Sequence, residues 1–163
     1  YIPKRTPLSM PSKPISDRLK DLGIKLPPTV SPAAAYVMAV TSGSTVFVSG
    51  HIAKEAGKPW VGKLGLDMDT ASGKAAARSI AIDLMATLEA HLGSLDRVKR
   101  IVKVMGLVNS TDLFTEQHLV INGCSELLFE VFGEAGKHAR SAFGVTQIPL
   151  GACVEIELIA EIE

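Results

Sequence analysis

The sequence predicts a single α+β domain in which one β-sheet carries two long helices. Hydrophobic periodicity follows the order β-β-α-β-α-β-β along the chain, and the segment at residues 70–92 has the clearest helical spacing. A chain of 163 residues suits one domain with a sizeable core. Because two helices can cover only one face of a sheet, the other face needs a different cover.

The chain before the sheet predicts an arm and a short helix. Residues 1–14 contain three basic residues, four prolines and no acid, which is typical of a flexible arm. The alternative is the remnant of an organellar transit peptide, which would place the protein in the mitochondrion instead of the cytoplasm. Ser16 and Gly23 have the residue types that cap a helix, so we expect a helix between them and a single domain over residues 15–163.

The middle of the chain predicts a hairpin, a helix, a strand and a second helix. Residues 35–41 and 45–49 flank the turn signal Ser42-Gly43-Ser44, and residues 70–92 place apolar side chains on one helical face before Gly93. The predicted third strand is residues 101–108, and the second helix spans about residues 113–132.

The last quarter of the chain predicts two strands joined by the turn Pro149-Leu150-Gly151, and we expect these strands to pair antiparallel. Alternation then places Arg140, Glu155 and Glu157 on the face opposite the apolar rows. Small residues, Ala142 and Gly144, share the side of Arg140 and leave space beside it. This pattern predicts a pocket for a small anion, and the alternative is a solvated arginine on an edge strand.

Composition excludes several classes of function. Lys plus Arg and Asp plus Glu number 17 each, so there is no overall field to hold a nucleic acid. Cys124, Cys153 and the four scattered histidines lack the spacing of a metal site, so we expect no metal and no other cofactor. No apolar run reaches the ~20 residues that cross a bilayer, so we expect a soluble protein with no membrane partner.

The predicted strands also bear on assembly. The first, third and fourth strands have apolar or small residues on both sides. A sheet face of this kind is normally buried. We therefore expect the free face to pack against other subunits in a closed symmetric oligomer.

Seven motifs in order resemble the YjgF/RidA family, also called the L-PSP endoribonuclease family, over about residues 30–163. The matching motifs are Tyr36-Val37, Val48-Ser49-Gly50, residues 94–99, Val102-Lys103-Val104, Asn122-Gly123, Ala139-Arg140-Ser141 and Val154-Glu155-Ile156-Glu157. The longer arm before Ser31 resembles one branch of that family, whose substrates are less well defined.

The resemblance implies a chorismate-mutase-like fold, a homotrimer with the sheets facing inward, and clefts between subunits. It implies hydrolysis of reactive 2-imino and 2-enamino acids to 2-keto acids and ammonia, as in 2-iminobutyrate/2-iminopropanoate deaminases. Arg140 matches the arginine that binds the substrate carboxylate, and Glu155 matches the acid that activates water. Tyr36, Ser49 and Asn122 match residues that line the cleft.

Ala142 departs from the family pattern, because many relatives with a defined deaminase activity have cysteine there. The thiol is not a required nucleophile, so the departure bears on pocket shape and substrate range. Each site residue also has a structural interpretation: Glu155 as a solvated strand residue, Tyr36 as packing, and Ser49 and Asn122 as partners of backbone groups. A Ser49–His51 catalytic pair is rejected, because about 7 Å of strand separates their backbones and no acid follows nearby.

Three functions remain after this comparison. The first is the imine hydrolase, and the second is a non-catalytic trimer that binds small carboxylates or a partner protein. The third is the ribonuclease of the family name, which the neutral charge and dispersed histidines disfavour.

Overall fold

The computed structural model describes residues 13–29, 31–32 and 34–163. Residues 1–12 of the predicted arm lie outside this part of the chain. The helices are α1 (Ile15–Asp21), α2 (Thr70–Leu92) and α3 (Gln117–Phe132). The strands are β1 (Ala39–Ser42), β2 (Thr45–Ile52), β3 (Lys54–Glu55), β4 (Lys58–Pro59), β5 (Val98–Asn109), β6 (Ala139–Val145) and β7 (Val154–Ile162). The order predicted for the seven main elements is confirmed; β3 and β4 form an additional small hairpin, and α1 precedes the sheet.

The main sheet has the strand order β1-β2-β7-β5-β6, with β6 parallel to β5 and the other pairs antiparallel. The predicted antiparallel pairing of β6 with β7 is therefore wrong, because β5 lies between them. Helix α3 connects β5 to β6 as a crossover, which is the connection that parallel strands need. The turn at Pro149–Gly151 does form, with Leu150 at φ 62° and Gly151 at φ 71°, but it leads into a central strand instead of closing a hairpin.

The helix ends differ from the predictions by a few residues. Asp69 caps α2 by accepting a hydrogen bond from the backbone N–H of Ser72 at 2.8 Å, and Gly93 ends the helix in the left-handed conformation. Helix α3 begins at Gln117, four residues later than predicted, because residues 111–116 form a loop. Helix α1 begins at Ile15 without a side-chain cap.

The two long helices pack closely on each other and on one face of the sheet. A Cβ atom at Gly123 of α3 would lie 2.0 Å from the backbone oxygen of Lys74 in α2. A Cβ at Gly106 of β5 would lie 2.4 Å from Ile121 of α3. The absence of a side chain at Gly123 lets the backbones of α2 and α3 approach, and its absence at Gly106 leaves room for the Ile121 side chain, so the core lies closely packed between helices and sheet.

The other face of the sheet has no helix on it among the described residues. Large apolar side chains on this face remain open: Val40 is 51% exposed, Phe47 is 47% exposed and Phe143 is 44% exposed. This arrangement agrees with the predicted open face. No helix in the described part of the chain is both long enough and apolar enough to cross a membrane.

Candidate functional site

Arg140 lies on β6 and extends along helix α3. Its Nη1 donates to Asn122 Oδ1 at 2.8 Å and to Ser125 Oγ at 3.2 Å, and its Nη2 donates to the carbonyl oxygen of His118 at 3.2 Å. A guanidinium has five N–H groups. Two N–H groups remain, one on Nη2 and one on Nε, and neither has an acceptor among the described residues. A carboxylate can accept one hydrogen bond from each of two such neighbouring N–H groups.

A second layer of side chains holds this arginine. His138 Nδ1 lies 2.6 Å from the carbonyl oxygen of Gly136, so Nδ1 carries the proton and Nε2 accepts. Ser125 Oγ lies 2.9 Å from His138 Nε2, and the Ser125 hydroxyl therefore donates to the ring and accepts from Arg140. Burial, assisted by the nearby Arg140 cation, lowers the pKa of His138 and favours this neutral ring.

Ser125 and His138 were not predicted from the sequence, although two signals were available. His138 stands two residues before Arg140, a spacing that places both on one side of an extended chain. Ser125 stands three residues after Asn122, a spacing that places both on one face of a helix.

Glu155 lies on β7, on the open face of the sheet. A Cβ atom at Gly50 of β2 would lie 3.1 Å from the Glu155 carboxyl carbon, so the carboxylate rests against the bare glycine backbone, where the β2–β7 register shifts. Burial, and secondarily the charge of Glu157, raises the pKa of Glu155. A carboxylate with a raised pKa can both accept a proton and return it.

Ser49 immediately precedes Gly50 on β2 and holds the segment that follows Tyr36. The Ser49 hydroxyl donates to the carbonyl oxygen of Val37 at 2.7 Å, and the Ser49 N–H donates to that of Met38 at 2.9 Å. Ser49 thus fixes the segment that precedes β1, as its structural interpretation expects, and its oxygen can still accept a hydrogen bond. Tyr36, in this segment, is 48% exposed.

The predicted residues therefore form two groups within one chain. The first, which we call the arginine group, consists of Arg140, Asn122 and Ala142; the second, the glutamate group, consists of Glu155, Ser49 and Tyr36.

The prediction that Arg140, Glu155 and Glu157 share a face is wrong. Arg140 pairs in register with Val104 on the helix side, whereas Glu155 pairs with Leu107 on the open side. Strand β5 also lies between β6 and β7, a lateral separation of about 10 Å. The error arises because the prediction pairs β6 with β7 and assigns its bulky row to the core. In the structure its small-residue row faces α3, where a Cβ at Gly144 would lie 2.9 Å from the side chain of Gln117.

Other candidate nucleophiles are inert. His51 is buried, with Nδ1 2.7 Å from the Ser49 carbonyl oxygen and Nε2 2.8 Å from Thr87 Oγ1, so its ring does not contact the Ser49 hydroxyl. Burial raises the pKa of Cys124 to about 12 and that of Cys153 to about 11, so both remain thiols at neutral pH. Among the described residues, no group of three or more His, Cys, Asp or Glu side chains could hold a metal ion.

Comparison with known proteins places this fold and its residues in one family. The family model described as "YjgF/chorismate mutase-like, putative endoribonuclease" matches residues 16–162. The chain belongs to the YjgF/chorismate-mutase-like family. The predictions of the family and of a chorismate-mutase-like α+β fold are thereby confirmed.

Several known proteins are similar to the chain. Protein TCP17 of Trypanosoma cruzi is 46% identical over 150 residues, which cover 91% of this chain and 94% of that protein. The crystal structure of Atu1372 from Agrobacterium tumefaciens is 44% identical, with a TM-score of 0.85, over 91% of this chain and 92% of that one. The E. coli TdcF structure with bound serine is 26% identical, with a TM-score of 0.58, over 83% and 94% of the two chains.

Proposed function

We propose that this YjgF-family protein hydrolyses reactive 2-imino and 2-enamino acids to 2-keto acids and ammonia, in clefts between the subunits of a homotrimer. The observation that carries the proposal is Arg140, which three acceptors of its own chain hold in place and which keeps two N–H groups for a ligand. Ala142, the next residue on that side of β6, leaves room beside the guanidinium.

The reaction needs a carboxylate anchor and a group that moves protons. Arg140 binds the substrate carboxylate, and Asn122 positions the guanidinium by accepting from Nη1 at 2.8 Å. Glu155 takes a proton from a water molecule while the water oxygen forms a bond with C2 of the imine, and this proton passes from Glu155 to the nitrogen as the C=N double bond becomes a single bond. The hydroxyl proton of the resulting carbinolamine then moves to the nitrogen through Glu155, the C–N bond breaks to release ammonia, and the 2-keto acid remains.

The remaining glutamate-group residues contact the reacting atoms in this proposal. The half-exposed Tyr36 hydroxyl supplies a hydrogen bond to the imine nitrogen or to the water. The Ser49 oxygen, whose proton is directed at Val37, accepts a hydrogen bond from the water. The raised pKa of Glu155 suits a group that must both take and return a proton.

Two features support the proposed trimer. The arginine and glutamate groups lie on opposite faces of one chain, so a cleft containing both takes them from neighbouring subunits. The open sheet face also carries Val40, Phe47 and Phe143, whose exposed apolar surface a neighbouring chain would cover. Sedimentation or gel filtration is expected to give about three times the 17.3 kDa of one chain. A monomer near 17 kDa would contradict the assembly.

The activity is tested by 2-keto acid formation from freshly generated 2-iminobutyrate. The Arg140→Ala variant is expected to lose about a hundredfold in kcat/KM, because it removes two charge-assisted hydrogen bonds to the substrate. Arg78→Ala is the matched control, since Arg78 is a helix arginine paired with Glu130 on the surface. The proposal fails if the wild-type protein does not accelerate the reaction, or if Arg140→Ala retains the full rate.

A second candidate is a non-catalytic trimer that binds small carboxylates at the same arginine. Ala142 favours it, because the cysteine of many deaminating relatives is absent here, and the TdcF structure shows a relative with serine bound. This candidate predicts saturable binding of a 2-keto acid without turnover of the imine. Ribonuclease activity has the weakest support, since the chain has no net charge and its histidines do not form a base–acid pair.

A further inference from the structure

A cavity of about 530 Å³ lies where helix α3 begins and strands β5 and β6 end. We call it the Lys63 cavity. Lys63, Ser110, Asp112, Phe114, Gln117 and Val145 are among the residues that line it. None of Arg140, Asn122 or Glu155 lines this cavity, so its chemistry is separate from that of the proposed hydrolytic site.

Lys63 brings a positive charge that its surroundings do not neutralise. Its Nζ lies 2.5 Å from Asn109 Oδ1 and 2.7 Å from the carbonyl oxygen of Thr146, and both acceptors are neutral. Among the described residues no carboxylate lies within 4.0 Å of this nitrogen, and its third N–H has no acceptor. An ammonium group in this state is ready to bind an anion.

Hydrogen bonds of the Lys63 segment and of Asn109 hold this ammonium in position. The N–H of Lys63 donates to Asp67 Oδ1 at 2.7 Å, and the N–H of Leu64 donates to the carbonyl oxygen of Asn109 at 2.8 Å. Asn109 is 2% exposed, and its amide donates to Gln147 Oε1 at 2.8 Å. Because these contacts already order the lysine, a ligand would meet a preorganised charge.

The start of α3 adds a second attraction for an anion. No side chain caps this helix, and Glu116, which precedes it, instead accepts a hydrogen bond from Thr70 at 2.7 Å. The first N–H groups of a helix and its dipole favour a negative ligand. Gln117, the first residue of α3, lines the cavity.

Asp112 gives the cavity a negative charge as well. Asp112 is exposed, lines the same cavity and forms no ion pair with Lys63, so neither charge neutralises the other. A simple anion would meet repulsion from Asp112, whereas a ligand with one charge of each sign would satisfy both residues. Phe114 and Val145 provide apolar walls in the same cavity.

We propose that the Lys63 cavity binds a zwitterionic α-amino acid with an aliphatic side chain. Its carboxylate lies at Lys63 and the first turn of α3, its ammonium lies at Asp112, and its side chain packs on Phe114 and Val145. This binding does not require hydrolysis at Arg140.

Calorimetric titration of the full chain with L-leucine tests the proposal. L-leucine is expected to bind saturably and equally well to the wild type and to Arg140→Ala, which separates this site from the hydrolytic one. Lys63→Met and Asp112→Asn are each expected to weaken binding at least about tenfold, and Lys63→Arg is expected to retain most of it. In the Arg140→Ala background, which removes the proposed 2-keto acid site, the corresponding keto acid 4-methyl-2-oxopentanoate lacks the ammonium and is expected to bind at least about tenfold more weakly than L-leucine.

Three outcomes would overturn the assignment. They are no saturable binding of L-leucine to the wild type, loss of binding in Arg140→Ala with retention in Lys63→Met, and equal affinity of Arg140→Ala for L-leucine and the keto acid. Because Lys63→Met also removes the contact with Asn109, thermal unfolding must show that this variant is folded. Asp112 is exposed and makes no such contact, so Asp112→Asn tests the site even if Lys63→Met does not fold.

Discussion

A mixture of two inactive variants tests whether the proposed cleft takes its arginine and its glutamate from different chains. The perturbation is to unfold Arg140→Ala and Glu155→Gln together at equal concentration and refold them into mixed trimers. Each chain then carries one substituted group and one intact group. Arg140 and Glu155 lie on opposite faces of the sheet with β5 between their strands, so a single cleft is expected to take them from different chains.

The expected magnitude follows from symmetry. If each cleft joins the arginine group of one chain to the glutamate group of its neighbour, half of the chains supply an intact arginine group and half supply an intact glutamate group. Random assembly then makes roughly a quarter of the clefts fully native. If both groups of a cleft came from the same chain, no cleft would be native and the mixture would remain as inactive as its components.

The assay is the rate of 2-keto acid formation from 2-iminobutyrate, measured for each variant alone and for the refolded mixture. Recovery of about a quarter of the wild-type rate is expected. Mixing Arg140→Ala with Asn122→Ala is the matched control, because both substitutions damage the same group and no chain can supply it intact. An inactive first mixture, with folded trimers present, would refute the reasoning from opposite faces.

Three further predictions concern stability. Because the pKa of Glu155 is raised in the folded state, its ionised form destabilises the fold at neutral pH. Glu155→Gln should therefore raise Tm at pH 7 but leave it unchanged near pH 3, and an equal rise at both pH values would contradict this. Burial lowers the pKa of His51, so unfolding takes up protons and the free energy of unfolding should fall as the pH drops below about 6.5. If the His51→Gln variant loses stability with falling pH as steeply as the wild type does, this cause is excluded. Gly123→Ala should lower the free energy of unfolding in urea by about 3 kcal/mol or more, because its Cβ would lie 2.0 Å from the backbone oxygen of Lys74. The control Glu126→Ala, on the same helix, should lower it by less than about 1 kcal/mol, and similar losses for the two variants would count against the close helix contact.

The order of elements could be predicted from the sequence because it depends on local signals. Residues 70–92 have helical periodicity and end at Gly93. Its φ of 84° is unstrained for glycine and strained for residues that carry a Cβ atom. Strand pairing depends on contacts between distant parts of the chain, which no local pattern records. The alternation of β6 therefore identified Ala142 and Gly144 as neighbours of Arg140, whereas the assumed partner strand put all three on the wrong face.

The contacts of the candidate site show the same division. Arg140, Asn122 and Glu155 were found through motifs, whereas the hydrogen bond from Ser125 to His138 depends on the distance between a helix and the end of a loop. No sequence motif distinguishes Lys63 from the other lysines of its segment, which is rich in Gly and Lys. Its role appears only because Leu64 and Asn109 join that segment to the end of β5.

Separation of the two groups within one chain has a chemical consequence. Arg140 alone offers a carboxylate two hydrogen bonds but no group to move a proton, and Glu155 alone lies beside Glu157, whose charge opposes an anionic substrate. An isolated chain could therefore bind weakly or not at all, and it could not complete the hydrolysis. Only an assembly that brings the arginine of one chain to the glutamate of the next supplies both functions, so in this proposal the apolar open face is as necessary to the reaction as the residues that contact the substrate.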